Sequence, residues 1–436
     1  ALAYSFYQRF EGSDILTHTH VISGVDIAYN YAHKYAVRYD WGYSGSDQYS
    51  RQSRWTSTPA VSGAWILSNE SFMKSIQAIN LAKLRISYGL TANDQNGLGR
   101  YTYEDNVRLN GGGPIGYLNY TTNENSFGNP DLKAEISHKI NYGLDLVFLN
   151  LVNFSIDIFK EKVDNAVIFS TMLVPSFQGI PLGSYPKTNT GSFQNKGYEV
   201  ELSAGKSLKN GLEFKVGGYL AYNKDKVTND GEISRGSDYA YPYHDIGFSY
   251  GQVFGYLVDK SNGNGFYNFQ SEINNGPKYA FGTPRVGDLK YKDLNHDGTI
   301  DEKDMAPITD GTLPNYTYGV NGYIKYKSFD LSVLFQGVGR WNAYKSGMGI
   351  GDTDYDGIYG SLARNAWTAE RWNNGERITY PALSTQTTIN DQPSNYWVYN
   401  LAYIRLKNVE VGYTLPSKLT KKHLGISQLR FILSGE

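Results

Sequence analysis

Apolar and polar residues alternate over most of this chain, and a period of two forces each such run into a strand with one greasy face and one wet face. From Tyr142 the set Tyr142, Leu144, Leu146 and Phe148 interleaves with Asn141, Gly143 and Asp145. Past a break at Asn150, Val152, Phe154, Ile156 and Ile158 interleave with Asn153, Ser155 and Asp157, so the two runs read as a hairpin. The same pattern pairs Tyr198, Val200 and Leu202 with Leu212, Phe214 and Val216, and Tyr318, Val320, Ile324 and Tyr326 with Leu331, Val333 and Phe335. It also runs through residues 35–43 and through Leu84, Ile86 and Tyr88.

Alternation fits both a packed sandwich and a membrane barrel, and strand length separates them. Many of these runs reach the roughly 9–11 residues that a tilted membrane strand needs, against the 5–6 common in globular sheets. The fold expected is all-β: an antiparallel transmembrane β-barrel. Leu144, Leu146, Phe154, Ile156, Val200, Phe214, Val320 and Leu331 should then face lipid, and Asp145, Asp157, Glu201, Lys215 and Asn321 a polar lumen. No apolar stretch approaches the 18 or more residues of a spanning helix. A polar mean hydropathy of -0.47 is no obstacle, because only alternate residues of a barrel strand meet lipid. Aromatics make up 15% of the chain, with 38 Tyr, which suits girdles at two membrane interfaces.

Acidic and basic residues are mixed and nearly balanced, for a formal net charge of -1, which leaves no electrostatic footprint for nucleic acid. Zero cysteines exclude disulfides, thiolate metal sites and a Cys nucleophile. The opening residues, ALAYSFYQRF, carry neither the basic nor the apolar region of an export signal.

Short connections near Ala32 to His33, Leu149 to Leu151, Lys206 to Gly211 and Lys327 to Ser328 alternate with long segments at 92–134, 163–194, 224–315 and 339–399. Bacterial barrels keep short turns in the periplasm and long loops outside, so every strand acquires a direction. The stretch from Phe248 to Val258 then belongs to an extracellular insertion, 224–315, and not to a span. Roughly 13 spans result, fewer than the 22 of outer-membrane transporters. The expectation is a partial barrel with long extracellular loops, 1–436 forming a portion of one barrel domain.

The sharpest local motif lies in that insertion. Asp293, Asn295 and Asp297 occupy positions 1, 3 and 5 of an EF-hand-like loop, Gly298 position 6, Thr299 position 7, Asp301 position 9 and Asp304 position 12. Oxygen ligands at that spacing, with glycine at the sharp turn, are what Ca²⁺ requires. Asp293, Asn295, Asp297, Asp301 and Asp304 by side chain and Thr299 by its carbonyl are the candidate metal ligands. Asp at position 12 in place of Glu shortens one arm, and the competing account is an Asx-rich turn that holds itself without metal. His18 and His20 could share a strand face, but they have no acidic partner at a recognisable spacing and read as barrel or loop residues. GGGPIGY at 111–117 neither follows a buried strand nor opens a helix and reads as an outer loop. Trp341, Tyr344, Tyr355, Tyr359, Trp367, Trp372, Tyr396 and Trp397 crowd the 339–399 segment, where rings could stack on sugars but more simply hold a large loop together.

Several segments resemble the C-terminal half of the SusC/RagA family of TonB-dependent transporters. They are YNYAHKYAVRYD at 29–40, LAKLRISYGLTAND at 81–94, FGNPDLKAEISHKINYGLDL at 127–146 and GSFQNKGYEVELSAG at 191–205. RVGDLKYKDLNHDGTIDEKDMAPI at 285–308, LPNYTYGVNGYIKYKSFDLSVLFQG at 313–337 and YIRLKNVEVGYTLP at 403–416 follow in the same order. Ala134 departs from the family pattern, which usually has Trp there, and the plug and closing strands of the family are expected to lie outside this sequence. The resemblance implies residence in the outer membrane of a Gram-negative bacterium, contact with its lipid, and active import of bulky glycans or peptides with no catalysis. It also implies energy from TonB and a SusD-like surface lipoprotein as partner. The rival readings are an outer-membrane barrel enzyme such as a lipase or protease, and a calcium-dependent surface adhesion module.

Overall fold

The computed structural model of the protein describes all residues except 1, 12–16, 95–98, 100, 112–119, 169–181, 233–240, 346–359 and 387. The chain divides into two compact units, one of residues 1–233, 316–338 and 404–436 and one of residues 234–315 and 339–403.

The first unit is a 13-stranded sheet in which each strand lies beside its predecessor in sequence. Its strands are β1 (Leu2–Glu11), β2 (Thr17–Tyr31), β3 (Tyr35–Ser46), β4 (Trp55–Ile66), β5 (Ile79–Asn93), β6 (Glu135–Phe148) and β7 (Val152–Ile168). After these come β8 (Thr188–Ser207), β9 (Leu212–Asn229), β10 (Tyr316–Tyr326), β11 (Phe329–Gly339), β12 (Tyr403–Thr414) and β13 (Arg430–Gly435). This up-and-down antiparallel order is the topology of a barrel wall, with β1 and β13 at its two edges.

Tight turns close the hairpins at one end. At β2–β3 and β6–β7 both central residues are left-handed, Ala32 and His33 (φ 52° and 55°) and Leu149 and Asn150 (φ 52° and 49°). Such a pair matches the right-handed twist of the flanking strands, and it forms here without the Asn-Gly that usually supplies it. Two connections on this side are longer. Residues 67–78 join β4 to β5, and the helix Ser417–Leu424, ended by Gly425 at φ 68°, joins β12 to β13. On the first of these Glu70 accepts from Lys34 (2.9 Å), Tyr35 (2.6 Å) and Trp65 (3.1 Å), and these donors, Lys34 foremost, lower its pKa to about 2.

Several strands outrun the expected 9–11 residues: β7 has 17, β9 has 18 and β8 has 20. The segments expected to be long loops from residues 92, 163 and 224 therefore start later, after Asn93, Ile168 and Asn229, and β8 begins at Thr188. The cause is that the ladder continues where both faces are polar, and there alternation gives no signal.

The second unit holds the larger buried core. Tyr256, Val258, Phe266, Tyr267, Leu289, Tyr291, Ile300, Ile389 and Trp397 are nearly inaccessible, and they draw on both of its chain segments. Phe254–Tyr256 is a short strand paired with Met305–Pro307, so the stretch from Phe248 to Val258 is not a span.

Candidate functional site: two faces of the sheet and an acidic loop

Directly paired residues of an antiparallel ladder point to one face, so the register sorts the side chains. Leu144, Ile156, Val200, Leu220 and Tyr318 form one row across β6 to β10, and Leu146, Phe154, Leu202, Gly218 and Val320 form the next. Phe214, paired with Ile324, lies on the same face, and Val333 reaches it at Gly322, which places Leu331 there too. Among the described residues this face stays open: Ile158, Leu202, Val216 and Val320 are 50–53% exposed. Aromatic stacks sit near both ends of the strands. Tyr35 stacks on Trp65 (6.3 Å) by the tight turns, and Trp41, Tyr43 and Trp55 form a column (5.8 and 5.2 Å) toward the other end. From Tyr35 to Tyr43 is eight residues, about 26 Å along the strand and so about 20 Å along the membrane normal at the roughly 40° tilt of barrel strands, which falls within the roughly 25 Å apolar band of an outer-membrane barrel.

Charges gather on the opposite face. Arg85 of β5 spans three strands: its guanidinium donates to Asp145 of β6 at 2.8 and 2.9 Å and to Asp157 of β7 at 2.9 and 3.0 Å. The reach depends on Gly143, which pairs directly with Arg85; a Cβ there would lie 2.5 Å from the guanidinium carbon. Asn141 donates to Asp157 (2.7 Å) and Ser155 to Asp145 (2.9 Å), which completes the clasp. Beside it Arg38 pairs with Asp26 and Asp40, and between the two arginines a depression of about 480 Å³ is floored by Ala28, Ala36, Ser62 and Ala64. Lys215 lies on this face with Glu213 (2.9 Å), and Arg430 joins Asp330 and Glu410. Asp145, Asp157, Glu201, Lys215 and Asn321 all fall on this polar side, as alternation requires. The Arg85–Gly143 complement was not legible beforehand, since it needs the β5–β6 register; its only trace is a glycine at a polar-face position.

The acidic loop is closed by its own backbone. Asp293 accepts from His296 (2.6 Å) and Gly298 (2.9 Å), Asn295 from Asp297 (3.0 Å), Asp297 from Thr299 (2.8 Å) and Asp301 from Lys303 (2.8 Å), all backbone amides. Gly298 takes the positive φ (82°) wanted at position 6. Asp304 is fully buried and its two oxygens accept from Leu294 (2.6 Å) and Asp301 (2.9 Å), so it works as a capping group. Among the described residues no three His, Cys, Asp or Glu side chains are gathered closely enough to hold a metal as they stand.

Of the 339–399 aromatics, Trp397 is buried, Tyr344, Trp367 and Tyr396 pack against the core, Trp372 meets Phe269 edge-on, and Trp341 donates to the Thr312 carbonyl. Tyr355 and Tyr359 lie outside the described residues, as do residues 112–117 of the Gly-rich stretch. His20 lies 3.4 Å from Asp94.

A long meander of antiparallel strands, apolar and exposed on one side and charged on the other, defines an outer-membrane barrel wall. The family described as TonB dependent receptor-like, beta-barrel matches residues 30–338, and the chain belongs to that family. It is 27% identical to TonB-dependent receptor P39 of Formosa agariphila, over 94% of this chain and 41% of that protein. It is 23% identical to TonB-dependent receptor SusC of Bacteroides thetaiotaomicron, over 89% of this chain and 37% of that protein. The solved RagAB peptide transporter shares the fold, with a TM-score of 0.72, 18% identity and coverage of 96% of this chain and 43% of that one. The protein therefore resides in the outer membrane of a Gram-negative bacterium. Its sequence spans less than half the length of these relatives, whose names are those of receptors and a transporter and not of enzymes.

Proposed function

We propose that the chain forms the wall of a SusC-like importer that carries bulky nutrients, glycans or peptides, across the outer membrane. The observation that carries this reading is the continuous charged face opposite a bare apolar one, in a chain of the TonB-dependent receptor family. A polar wall whose charges already pair with one another can pass a hydrated solute without holding it tightly. In this reading TonB supplies the energy. The segments between β5 and β6, β9 and β10, and β11 and β12 all leave from the end opposite the tight turns. They form the extracellular surface that meets a SusD-like lipoprotein lid. Mild-detergent isolation of the full-length receptor from its native membrane should bring a surface lipoprotein down in near-equal amount, and a receptor recovered alone would count against the partnered importer.

We further propose that the 293–304 loop takes Ca²⁺ as a structural ion. An ionised carboxylate has about four lone-pair sites, so Asp293 and Asp297, which accept two N–H groups each, keep lone pairs with which to ligate. Asn295, the Thr299 carbonyl and Asp301 would fill the remaining places. With Asp304 held as a cap the affinity belongs at the weak end, roughly 10⁻⁴ to 10⁻³ M, which an extracellular site tolerates. Calorimetric titration of chelator-stripped protein should give saturable heat in that range and lose it on Asp293→Ala with Asp297→Ala. No heat, or unchanged heat in the variant, would leave a metal-free Asx turn.

A further inference from the structure

We propose that the outward face of β7, β8 and β9 carries a binding site for a phospholipid of net negative charge in the outer leaflet, its head group on a lysine cluster and its acyl chain in a groove below. On each of these three strands the apolar outward run ends at one row, Ile158, Tyr198 and Tyr222, with Tyr198 and Tyr222 stacked at 5.4 Å. The next outward position on each strand is lysine. Lys160 pairs directly with Lys196, and Lys196 with Lys224. One step further Lys162 and Lys226 flank Gln194. All five lysines are exposed, and among the described residues ion pairing reaches only Lys162, through Asp164 at 2.9 Å.

Lysines lifting their ammonium groups out of the apolar band is ordinary at a membrane interface. Three of them directly opposite one another is not, because like charges in register destabilise a ladder. The neighbouring strand carries no such cluster: Ile140 stands opposite Lys160 and His138 opposite Lys162. An unbalanced positive row at the end of the lipid-facing band calls for an anion at that height, and the aromatic row just beneath marks the height as the interface. The tight turns lie at the other end of these strands, so the lysines are on the extracellular side.

The same face supplies the other half of the site. Four residues below Lys196, about 13 Å along the strand, a groove of about 500 Å³ opens between Val200, Leu202, Val216, Leu220 and Val320. Gly218 forms its floor, where the missing side chain leaves the depression. Charged head and apolar trough lie in the order an acylated anion needs, and both are continuous with the surface that faces the bilayer. Acyl chains are the solvent of that face, and the lysines select which of them stays. The site is independent of the import reading and needs only the placement in the outer membrane.

The test is native mass spectrometry of the detergent-solubilised full-length receptor titrated with phosphatidylglycerol, with phosphatidylcholine of the same chains, and with glycerol 3-phosphate. Phosphatidylglycerol should be retained in preference to phosphatidylcholine, and the preference should shrink between about 0.05 and 0.5 M salt. Lys160→Ser with Lys196→Ser and Lys224→Ser should weaken phosphatidylglycerol binding roughly a hundredfold at low salt and leave phosphatidylcholine unchanged. Gly218→Leu, whose new Cβ meets nothing nearer than the Gly319 carbonyl at 3.3 Å, should weaken the retention of either lipid by filling the groove. Equal retention of the two lipids by the wild-type receptor, or an unaltered triple variant, would overturn the proposal. Glycerol 3-phosphate competing at the same concentration as the lipid would reduce it to a soluble-anion site. Loss of self-association in the variants with lipid retention intact would assign the face to a second copy of the receptor. The salt dependence and the Gly218→Leu arm decide the matter even if the triple variant fails to assemble.

Discussion

Trp397→Ala should destabilise the second unit by about 3–5 kcal/mol, the range for truncating a buried tryptophan. Trp397 is 4% exposed, stands edge-on to Tyr396 (4.8 Å) and Tyr380 (5.7 Å), and donates its indole N–H to the Asn390 carbonyl at 2.9 Å. Asn390 is itself a bridge, accepting from the Leu289 amide (2.8 Å) and donating to the buried carboxylate of Asp288 (2.8 Å). The substitution therefore opens a cavity and removes the donor from a network that joins two stretches about a hundred residues apart in sequence. Limited proteolysis is the measurement: cleavage within 241–315 and 360–402 should accelerate together in the Ala variant, while the circular dichroism of the sheet is retained. Trp397→Phe, which keeps most of the volume and loses the donor, should fall between. Cleavage of the Ala variant at the wild-type rate would show that this core does not hold the unit together.

Why the sheet was legible in the sequence and this core was not comes down to range. Alternation is local, so Leu144 and Asp145 declare opposite faces without knowledge of any partner strand, and every residue assigned to lipid or lumen lies on the expected side. Strand ends were misplaced because Lys160, Glu161, Lys162 and Asp164 are polar on both faces while the ladder still runs to Ile168. The turn at Ala32 and His33 lacks the Asn-Gly signature and could be placed only by the break in pattern. Trp397 and Tyr291 lie in segments separated by β10 and β11, and nothing local in either announces that they share one core. In the acidic loop the spacing was legible, but the turning of Asp304 inward to cap Leu294 and Asp301 depends on its complete burial, which spacing does not encode.

Sidedness of the sheet can be read from three arginine substitutions. Val320 is 51% exposed on the apolar face and lies inside β10, four residues from Tyr316 and six from Tyr326, which puts it near the middle of the lipid band. Val320→Arg should therefore cost about 2–4 kcal/mol, the depth-dependent penalty at the bilayer midplane. Leu146 shares its row, yet it lies two residues from Phe148, where the β6–β7 turn begins, and a guanidinium there can reach the interface. Leu146→Arg should cost about 1 kcal/mol or less. Asn321 is the immediate neighbour of Val320 but pairs with Gly217 on the polar face, so Asn321→Arg places the charge among the lumen residues and should stay close to wild type. Reversible unfolding of the full-length receptor in lipid vesicles by denaturant gives all three values on one scale. The order expected is Val320→Arg, then Leu146→Arg, then Asn321→Arg from most to least destabilised. A larger penalty at Asn321 than at Val320 would put lipid on the charged face, and an equal penalty at Leu146 and Val320 would place the turn end of β6 as deep in the bilayer as the centre of β10.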